Sequence, residues 1–232
     1  MDLNIKNKIE QVVNVFETGV AEGDYGNVSI YADGTFPNGK RGVKQVTFGR
    51  SQTTEQGNLK ALLEIYIEKG GQYSEQFKPY LPQFNKLEGS QTVLSTDKAF
   101  HALLKNSALD PLMKSVQDEF FDKTYFQNAA KWATDNGFKY PLSMLVIYDS
   151  FIHSGRMFLF LQNAFPEKKP IQGGDEKKWI IDYVKARHKW LENHKDPILR
   201  KTVYRMKAFM DCFEKNNWEL SEMVKTNGVS IK

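Results

Sequence analysis

One short β-like stretch, in a chain whose other patterns are helical, is the feature that most restricts the fold. Two runs with β propensity, Asn27 to Tyr31 and Val43 to Phe48, flank a segment rich in glycine, proline and asparagine from Asp33 to Gly42. Runs of this kind around turn-forming residues predict a pair of short strands. We expect this to be the only part of the chain that forms a sheet.

Elsewhere, apolar residues recur at the three- and four-residue spacing of amphipathic helices. The helices predicted from this spacing span residues 3–18, 58–68, 74–84, 98–105, 110–135, 141–153, 175–193 and 197–215. Pro141 suits the first turn of its helix, where a missing N–H costs nothing. A mainly helical chain with one small sheet near its N-terminus predicts an α+β fold.

Composition indicates one globular domain over residues 1–232. Hydrophobic residues make up 41% and charged residues 26% of the 232 residues, which is ordinary for such a domain. No apolar run approaches the roughly 18 residues of a membrane span. The 32 Lys and Arg residues are dispersed, so the net charge of +4 indicates a solvated surface. We expect a monomer with no membrane or nucleic-acid partner.

Residue types that would bind metals or form disulfides are few. Cys212 is the single cysteine, which excludes an intramolecular disulfide and a CxxC metal site. The four histidines lack the HExxH spacing, so we expect no metal and no cofactor. The opening residues, MDLNIKNKIE, lack the basic-then-apolar pattern of a signal peptide. We expect a secreted or periplasmic protein if a signal peptide has been removed, and a cytoplasmic protein otherwise.

Glu17 lies at the end of the first predicted helix, after the apolar Phe16 and two residues before Gly19. A carboxyl group that is partly shielded from water at such a junction holds its proton more readily, as a general acid must. The alternative is a solvated glutamate at a fraying helix end.

Asp33 follows the first predicted strand and opens the turn-forming segment. A loop held by a small sheet is a common position for a functional carboxylate. The alternative is an ordinary Asp-Gly turn. Glycoside hydrolysis uses two carboxyl groups, one that protonates the leaving oxygen and one that activates water or attacks carbon. Glu17 and Asp33 together therefore predict a glycoside hydrolase.

The segments around these two residues resemble glycoside hydrolase family 46, the bacterial chitosanases. The resemblance rests on segments that run in order along the chain: Phe16-Glu17-Thr18, Tyr31 to Gly34, Arg41-Gly42, Phe48 to Ser51, Gln56 to Leu59, Lys78 to Pro82, Asp122 to Phe126, Tyr148-Asp149 with His153 and Gly155, Gln172 to Glu176, Ala186-Arg187, and Arg205. The segment from Gln172 to Glu176 is the most specific of these. About six residues, Thr35 to Lys40, are inserted between Asp-Gly and Arg-Gly relative to the family pattern.

The resemblance implies a lysozyme-like fold with two lobes, a cleft and a long central helix. It also implies an endo-acting, inverting hydrolase of an amino-sugar polysaccharide, chitosan-like or peptidoglycan-like, with Glu17 as general acid and Asp33 as general base. An ionic network of Asp149, Arg187 and Arg205 would stand behind them; salt bridges with a structural role are compatible with this. The substrate-binding residues that we expect are Tyr31, Arg41, Thr47, Asn58, Tyr125, His153 and Asp175.

Some of these positions allow more than one role. Tyr31, Tyr125 and Trp179 suit either sugar stacking or a place in the core or at its rim. Lys44 occupies the position where the family has a small hydroxyl residue near the attacking water, and Thr47 or Gln45 would replace it. Asn58 stands where the family uses an aspartate to hold its cationic polymer.

Positive charge near the predicted sheet bears on the substrate. Arg41, Lys44 and Arg50 cluster there, so we expect a neutral to basic cleft that favours a neutral or anionic glycan over chitosan. The alternative is that these side chains face outward or pair with acidic groups. A second hypothesis, from a different functional class, is that the chain is a non-catalytic carbohydrate-binding protein of the same fold.

Overall fold

The computed structural model describes residues 1–50 and 52–232; Ser51, part of one family-like segment, lies outside the described residues. The α-helices are α1 (Leu3–Thr18), α2 (Leu59–Glu68), α3 (Ser74–Phe77), α4 (Lys98–Ser107), α5 (Pro111–Phe121), α6 (Gln127–Asp135), α7 (Pro141–Ser154), α8 (Leu159–Gln162), α9 (Glu176–Glu192), α10 (Pro197–Lys201) and α11 (Tyr204–Glu214). The strands are β1 (Val28–Thr35), β2 (Arg41–Phe48), β3 (Thr53–Thr54), β4 (Leu87–Glu88), β5 (Gln91–Thr92), β6 (Val224–Thr226) and β7 (Val229–Ile231).

The chain divides into two compact units. The first unit joins Met1–Glu22 to Asp122–Lys232, and the second is Gly23–Phe121. None of the helices in the described part of the chain has the length and apolar character that crossing a bilayer requires. The expectation of one catalytic domain over residues 1–232 stays a prediction.

The first unit is a helical assembly around one apolar core. Helix α1 buries Ile9, Val12 and Phe16 and packs on α7, β6 and β7. Asp2 caps its start by accepting a hydrogen bond from the Asn4 amide, and Gly19 ends it in the left-handed conformation. The buried face of α1 thereby fixes the position of the residues in its last turn.

The second unit holds a five-stranded sheet and helices α2 to α5. The sheet order is β1-β2-β5-β4, with β3 pairing on β2. Strands β1 and β2 form an antiparallel hairpin that is longer than the sequence suggests, because residues 35 and 41 also pair. The turn between them is closed by the Phe36 amide, which donates to the Lys40 carbonyl.

The expectation of a single β region is wrong. Strands β4 and β5 extend the sheet, and β6 and β7 form a separate hairpin near the C-terminus. The turn of that hairpin is Asn227-Gly228, both at positive φ, and this dipeptide is a strong hairpin signal. The strands on each side of it, Val-Lys-Thr and Val-Ser-Ile, alternate in side-chain polarity. The sequence therefore contains the signals of a second hairpin.

Three of the segments predicted to be single α-helices are divided or changed in type in the structure. Residues 78–83 form a 3-10 helix rather than the end of an α-helix, because Pro79 and Pro82 remove amide donors. Residues 111–135 are helical throughout, but Asp122–Phe126 is a π-helical turn between α5 and α6. The helix predicted over 197–215 is two helices, α10 and α11. Helix α8 was not predicted.

Candidate active site

Glu17 occupies the last turn of α1, in the first unit. Phe16 packs edge-on against Tyr204 and Phe209 of α11, which places the next residue beside that helix. The Glu17 side chain is 15% exposed, and its Oε1 accepts a hydrogen bond of 2.6 Å from Arg205 Nη2. The Tyr204 hydroxyl donates to the Phe16 carbonyl at 2.7 Å. Two residues of α11 therefore hold the end of α1.

Arg205 links Glu17 to a buried ionic network. Its Nη1 donates to Asp149 Oδ1 at 2.8 Å, and Arg187 Nη1 donates to Asp149 Oδ2 at 3.0 Å. Asp149 and Arg187 have no exposed surface, and Arg205 is 4% exposed. Burial alone would raise the pKa of Asp149, but Arg205 and Arg187 outweigh it and hold that pKa below its usual range. The predicted network residues are thus in direct contact.

His153, at the end of α7, contacts the same network. Arg187 Nη2 lies 2.9 Å from His153 Nδ1, and because a guanidinium can only donate, Nδ1 must accept. Burial and the charges of Arg205 and Arg187 lower the pKa of His153 to about 3. The imidazole is therefore neutral at ordinary pH, with its proton on Nε2.

Asp33 lies on β1 in the second unit. Gln45 Nε2 donates to Asp33 Oδ1 at 2.8 Å, and Arg41 Nη2 donates to the Asp33 carbonyl at 3.1 Å. Asp33 lines an open pocket of about 590 Å³, together with Gly34, Thr35, Arg41, Gln45, Thr54, Gln56, Gly57 and Asn85. The pocket is lined by polar groups, and Asp33 is the one carboxylate among them. Gln45 is one of the two residues expected near the attacking water, whereas Gln56 is a partner of this site that the sequence did not identify as such.

Some of the predicted residues have clear structural contacts. Thr47, on strand β2, is 2% exposed and so offers almost no surface to a polymer, and Gln45 is the alternative that contacts Asp33. Asp175 caps α9 by accepting a hydrogen bond from the Lys178 amide. Trp179 is 1% exposed and stacks on Tyr183, which makes it a core residue.

Other predicted binding residues have accessible surface. Tyr31 is 43% exposed on β1. Asn58 is half-buried and directly precedes α2. Tyr125 is half-buried in the π-helical turn and borders a second pocket, of about 470 Å³, with Trp132 and Phe151. Their proposed contact with substrate stays a prediction.

The positive charge near the sheet is smaller than the sequence suggests. Arg50 is 4% exposed, and its Nε pairs with Asp118 Oδ1 at 3.1 Å. Arg41 donates to the Asp33 carbonyl, and Lys44 is exposed. One of the three basic residues that predicted a basic region is therefore withdrawn from solvent and neutralised. Within residues 1–50 and 52–232, no group of three or more His, Cys, Asp or Glu side chains is arranged to hold a metal ion.

Known proteins are similar to this chain in sequence and in fold. The model of glycosyl hydrolase family 46 matches residues 11–223. The chitosanase of Bacillus subtilis (strain 168) is 29% identical over 230 residues, which covers 93% of this chain and 79% of the relative.

Solved chitosanases superpose on the whole chain. Native chitosanase from Bacillus subtilis MY002 has a TM-score of 0.81 at 25% identity, with 100% of both chains covered. Its glutamate-to-alanine variant, complexed with 6 GlcN, has a TM-score of 0.83 at 24% identity over 100% of both chains. The Gynuella sunshinyii GH46 chitosanase in complex with chitotetraose has a TM-score of 0.81 at 20% identity, covering 99% of this chain and 97% of that one.

These likenesses confirm the lysozyme-like, mainly helical α+β fold with a small sheet. The family match spans far more than half of the chain, and the protein is therefore a glycoside hydrolase. The chain belongs to glycoside hydrolase family 46.

Proposed function

We propose that this protein is an endo-acting chitosanase that cleaves with inversion. The relatives are named chitosanases, and two solved structures are complexes with GlcN units or chitotetraose. Glu17 protonates the glycosidic oxygen, and Asp33 takes a proton from the water that attacks the anomeric carbon. The observation that carries this assignment is the hydrogen bond from Arg205 to Glu17, at the edge of a buried ionic network.

Arg205 is a partner that helps Glu17 to release its proton to the substrate. When the proton moves to the glycosidic oxygen, the carboxylate left behind is stabilised by the guanidinium. Asp149 shares the same guanidinium through Nη1, and this second anion weakens the pull of Arg205 on Glu17 before the transfer. Arg187 completes the set, so that two cations balance two carboxylates.

Asp33 has one oxygen held by Gln45 within a pocket large enough for water and part of a sugar. We assign its other oxygen, Oδ2, to the attacking water. His153 offers its Nε2 proton as a donor to a substrate hydroxyl or amine, and Tyr31, Arg41, Asn58 and Tyr125 supply further contacts with the polymer. The non-catalytic alternative gains no support, because the family match identifies the chain as a glycoside hydrolase and both carboxylates are present.

A panel of glycans tests the substrate. We expect the purified enzyme to release reducing ends from chitosan, with viscosity falling early because cleavage is internal. Proton NMR of the first products should show the α-anomer, since inversion of a β-linkage gives that anomer. Hydrolysis of peptidoglycan or acidic polysaccharides without action on chitosan would contradict the proposed substrate, and an initial β-anomer would contradict inversion.

Replacing the general acid tests the proposed chemistry. Glu17→Gln should lower kcat on chitosan by about 1,000-fold, because the amide cannot supply a proton to the leaving oxygen. The loss of stability should be small, since the amide oxygen can still accept a hydrogen bond from Arg205. The matched control is Glu22→Gln, at an exposed glutamate of the same unit. Wild-type turnover by the Glu17→Gln enzyme would remove Glu17 from the mechanism.

A further inference from the structure

Asp33 lies at an irregularity in the β1–β2 hairpin. Tyr31 pairs with Gln45 and Gly34 pairs with Val43, so two residues of β1, Ala32 and Asp33, stand opposite Lys44 alone. This is a β-bulge, and such bulges redirect side chains next to active sites. A second irregularity follows at once, where Thr35 pairs with Arg41. The backbone at Asp33 is thus locally distorted, and its side chain needs other contacts to fix its direction.

Gln45 is oriented so that it can provide that contact. Its Oε1 accepts a hydrogen bond of 2.9 Å from the backbone N–H of Gln56. Because a backbone N–H can only donate, this end of the Gln45 side-chain amide must be the oxygen. The nitrogen must then face the other way, where Nε2 donates to Asp33 Oδ1 at 2.8 Å. Gln45 is 4% exposed, so packing restricts its rotamer. The amide is fixed at both ends before any substrate binds.

Gln56 connects this pair to the inserted part of the hairpin. Its side chain accepts from the Thr35 amide at 2.6 Å and donates to the Thr35 carbonyl at 3.0 Å. A Cβ on Gly34 would lie 2.7 Å from Gln56 Oε1 and 3.0 Å from the Val43 carbonyl, so a larger residue here would displace the Gln56 side chain. The contacts of Gln56 therefore support the backbone on the C-terminal side of Asp33.

We propose that Gln45 is a positioning residue for Asp33, holding Oδ1 so that Oδ2 faces the attacking water. This inference rests on the proposed role of Asp33 as general base. A neutral amide donor orients a carboxylate without the strong charge of a lysine or arginine, which would weaken it as a base. Misplacement of a reacting group by about 1 Å can cost 100-fold in rate, so loss of the orienting bond should affect turnover.

Two substitutions test the role of Gln45. Gln45→Met keeps the length of the side chain but removes the donor. It should lower kcat on chitosan oligosaccharides about 10-fold or more, with KM within about 2-fold, and move the acidic limb of the pH–rate profile upward. Gln45→Glu places a second carboxyl group against Asp33, so the acidic limb should move further in the same direction.

The matched control is Gln117→Met in the same unit. Gln117 is also fully buried and bridges two backbone groups, accepting from the Arg50 amide and donating to the Tyr25 carbonyl. The Gln117→Met variant should lose about as much thermal stability as Gln45→Met, while its pH–rate profile keeps the wild-type shape. If Gln45→Met matches Gln117→Met in kcat and in the acidic limb, Gln45 has only a structural role and the proposal is overturned.

A readout without catalysis separates this inference from the proposed function. The carbon-13 resonance of the Asp33 carboxyl can be followed against pH in the wild type and in each variant. The pH at which it changes should rise in both Gln45 variants and stay constant in Gln117→Met. A constant value in the Gln45 variants would overturn the proposal even if the enzyme cleaves chitosan. A rise would support the contact between the two side chains even if chitosan is not the substrate.

Discussion

At the scale of single residues, the charges around Asp149 balance one another, and this balance bears on the stability of the first unit and on the contact between Arg205 and Glu17. The Asp149 carboxylate has no exposed surface and accepts hydrogen bonds from Arg187 and Arg205. Two buried guanidinium groups without their shared carboxylate would be costly, because desolvated charge is tolerated only when it is paired. Arg205 would also lose the anion that competes with Glu17 for it.

Asp149→Asn should therefore destabilise the protein by about 3–5 kcal/mol in urea unfolding, since it removes one partner of a buried ion pair. The matched control is Asp135→Asn, which breaks the pair with Lys131 between side chains that are 55% and 73% exposed. That substitution should cost less than about 1 kcal/mol. Equal losses in the two variants would show that the buried network does not stabilise the fold.

His153 gives the stability a defined dependence on pH. Its pKa is about 3 in the folded protein against 6.5 for the ordinary group, so below pH 6.5 the unfolded state binds the proton first. Stability from this group is complete above 6.5 and falls as the pH drops towards 3, with about 2 kcal/mol lost at pH 5. His153→Gln should reduce the difference in unfolding free energy between pH 7 and pH 5 by that amount. An imidazole resonance assigned to His153 that titrates near pH 6.5 in the folded protein would contradict this.

Part of this network could be predicted from residue patterns. Every residue of α7 from Leu142 to Ser150 is buried, and a charged residue within so apolar a helix must be paired. The pattern indicates that Asp149 needs cations but not which ones, because partners 38 and 56 positions away depend on tertiary packing. Gln45 carries an even weaker signal, since a glutamine in a strand is ordinary on either face.

At the scale of elements, prediction succeeded where several local signals agreed. Helix α1 spans the predicted residues 3–18 because a capping aspartate, an apolar stripe and a terminal glycine agree. It failed where elements are short, as with β3 to β5, since two-residue strands depend on their neighbours rather than on propensity. The π-helical turn within residues 111–135 has no simple sequence pattern, because periodicity registers a helix but not one extra residue per turn.

The segment from Gln172 to Glu176 contains two glycines that serve different purposes. Gly173 has a φ of +85° with open space around it, whereas a Cβ on Gly174 would lie 1.7 Å from the Lys168 carbonyl oxygen. Gly173→Ala should cost about 1 kcal/mol through backbone strain. Gly174→Ala should cost about 3 kcal/mol or more, because the backbone at Lys168 must move. Thermal unfolding of the two variants measures the difference, and a reversed order would contradict the close approach.

At the scale of the whole molecule, the fold class followed from the distribution of periodicities. A helical chain with one hairpin near its start left few alternatives, and the family resemblance identified the fold among them. The family resemblance implied two lobes, but the boundaries of the two units were harder to anticipate, because the first unit is assembled from both ends of the described chain. No composition shift marks the boundaries near residues 22 and 122, and the helical pattern continues through the second.

That discontinuity has a consequence for the order of events on the ribosome. The helix that carries Glu17 is synthesised before its partners, because Arg205 and the carbonyls of Leu220 and Glu222, which bind Lys8 of the same helix, come about 200 residues later. At translation rates of roughly 5–20 residues per second, α1 must wait at least about ten seconds for these partners. The end of α1 therefore cannot reach its final surroundings until Arg205 has been synthesised. A nascent polypeptide that does not yet include Tyr204 and Arg205 thus lacks the partners that hold its proposed proton donor in place.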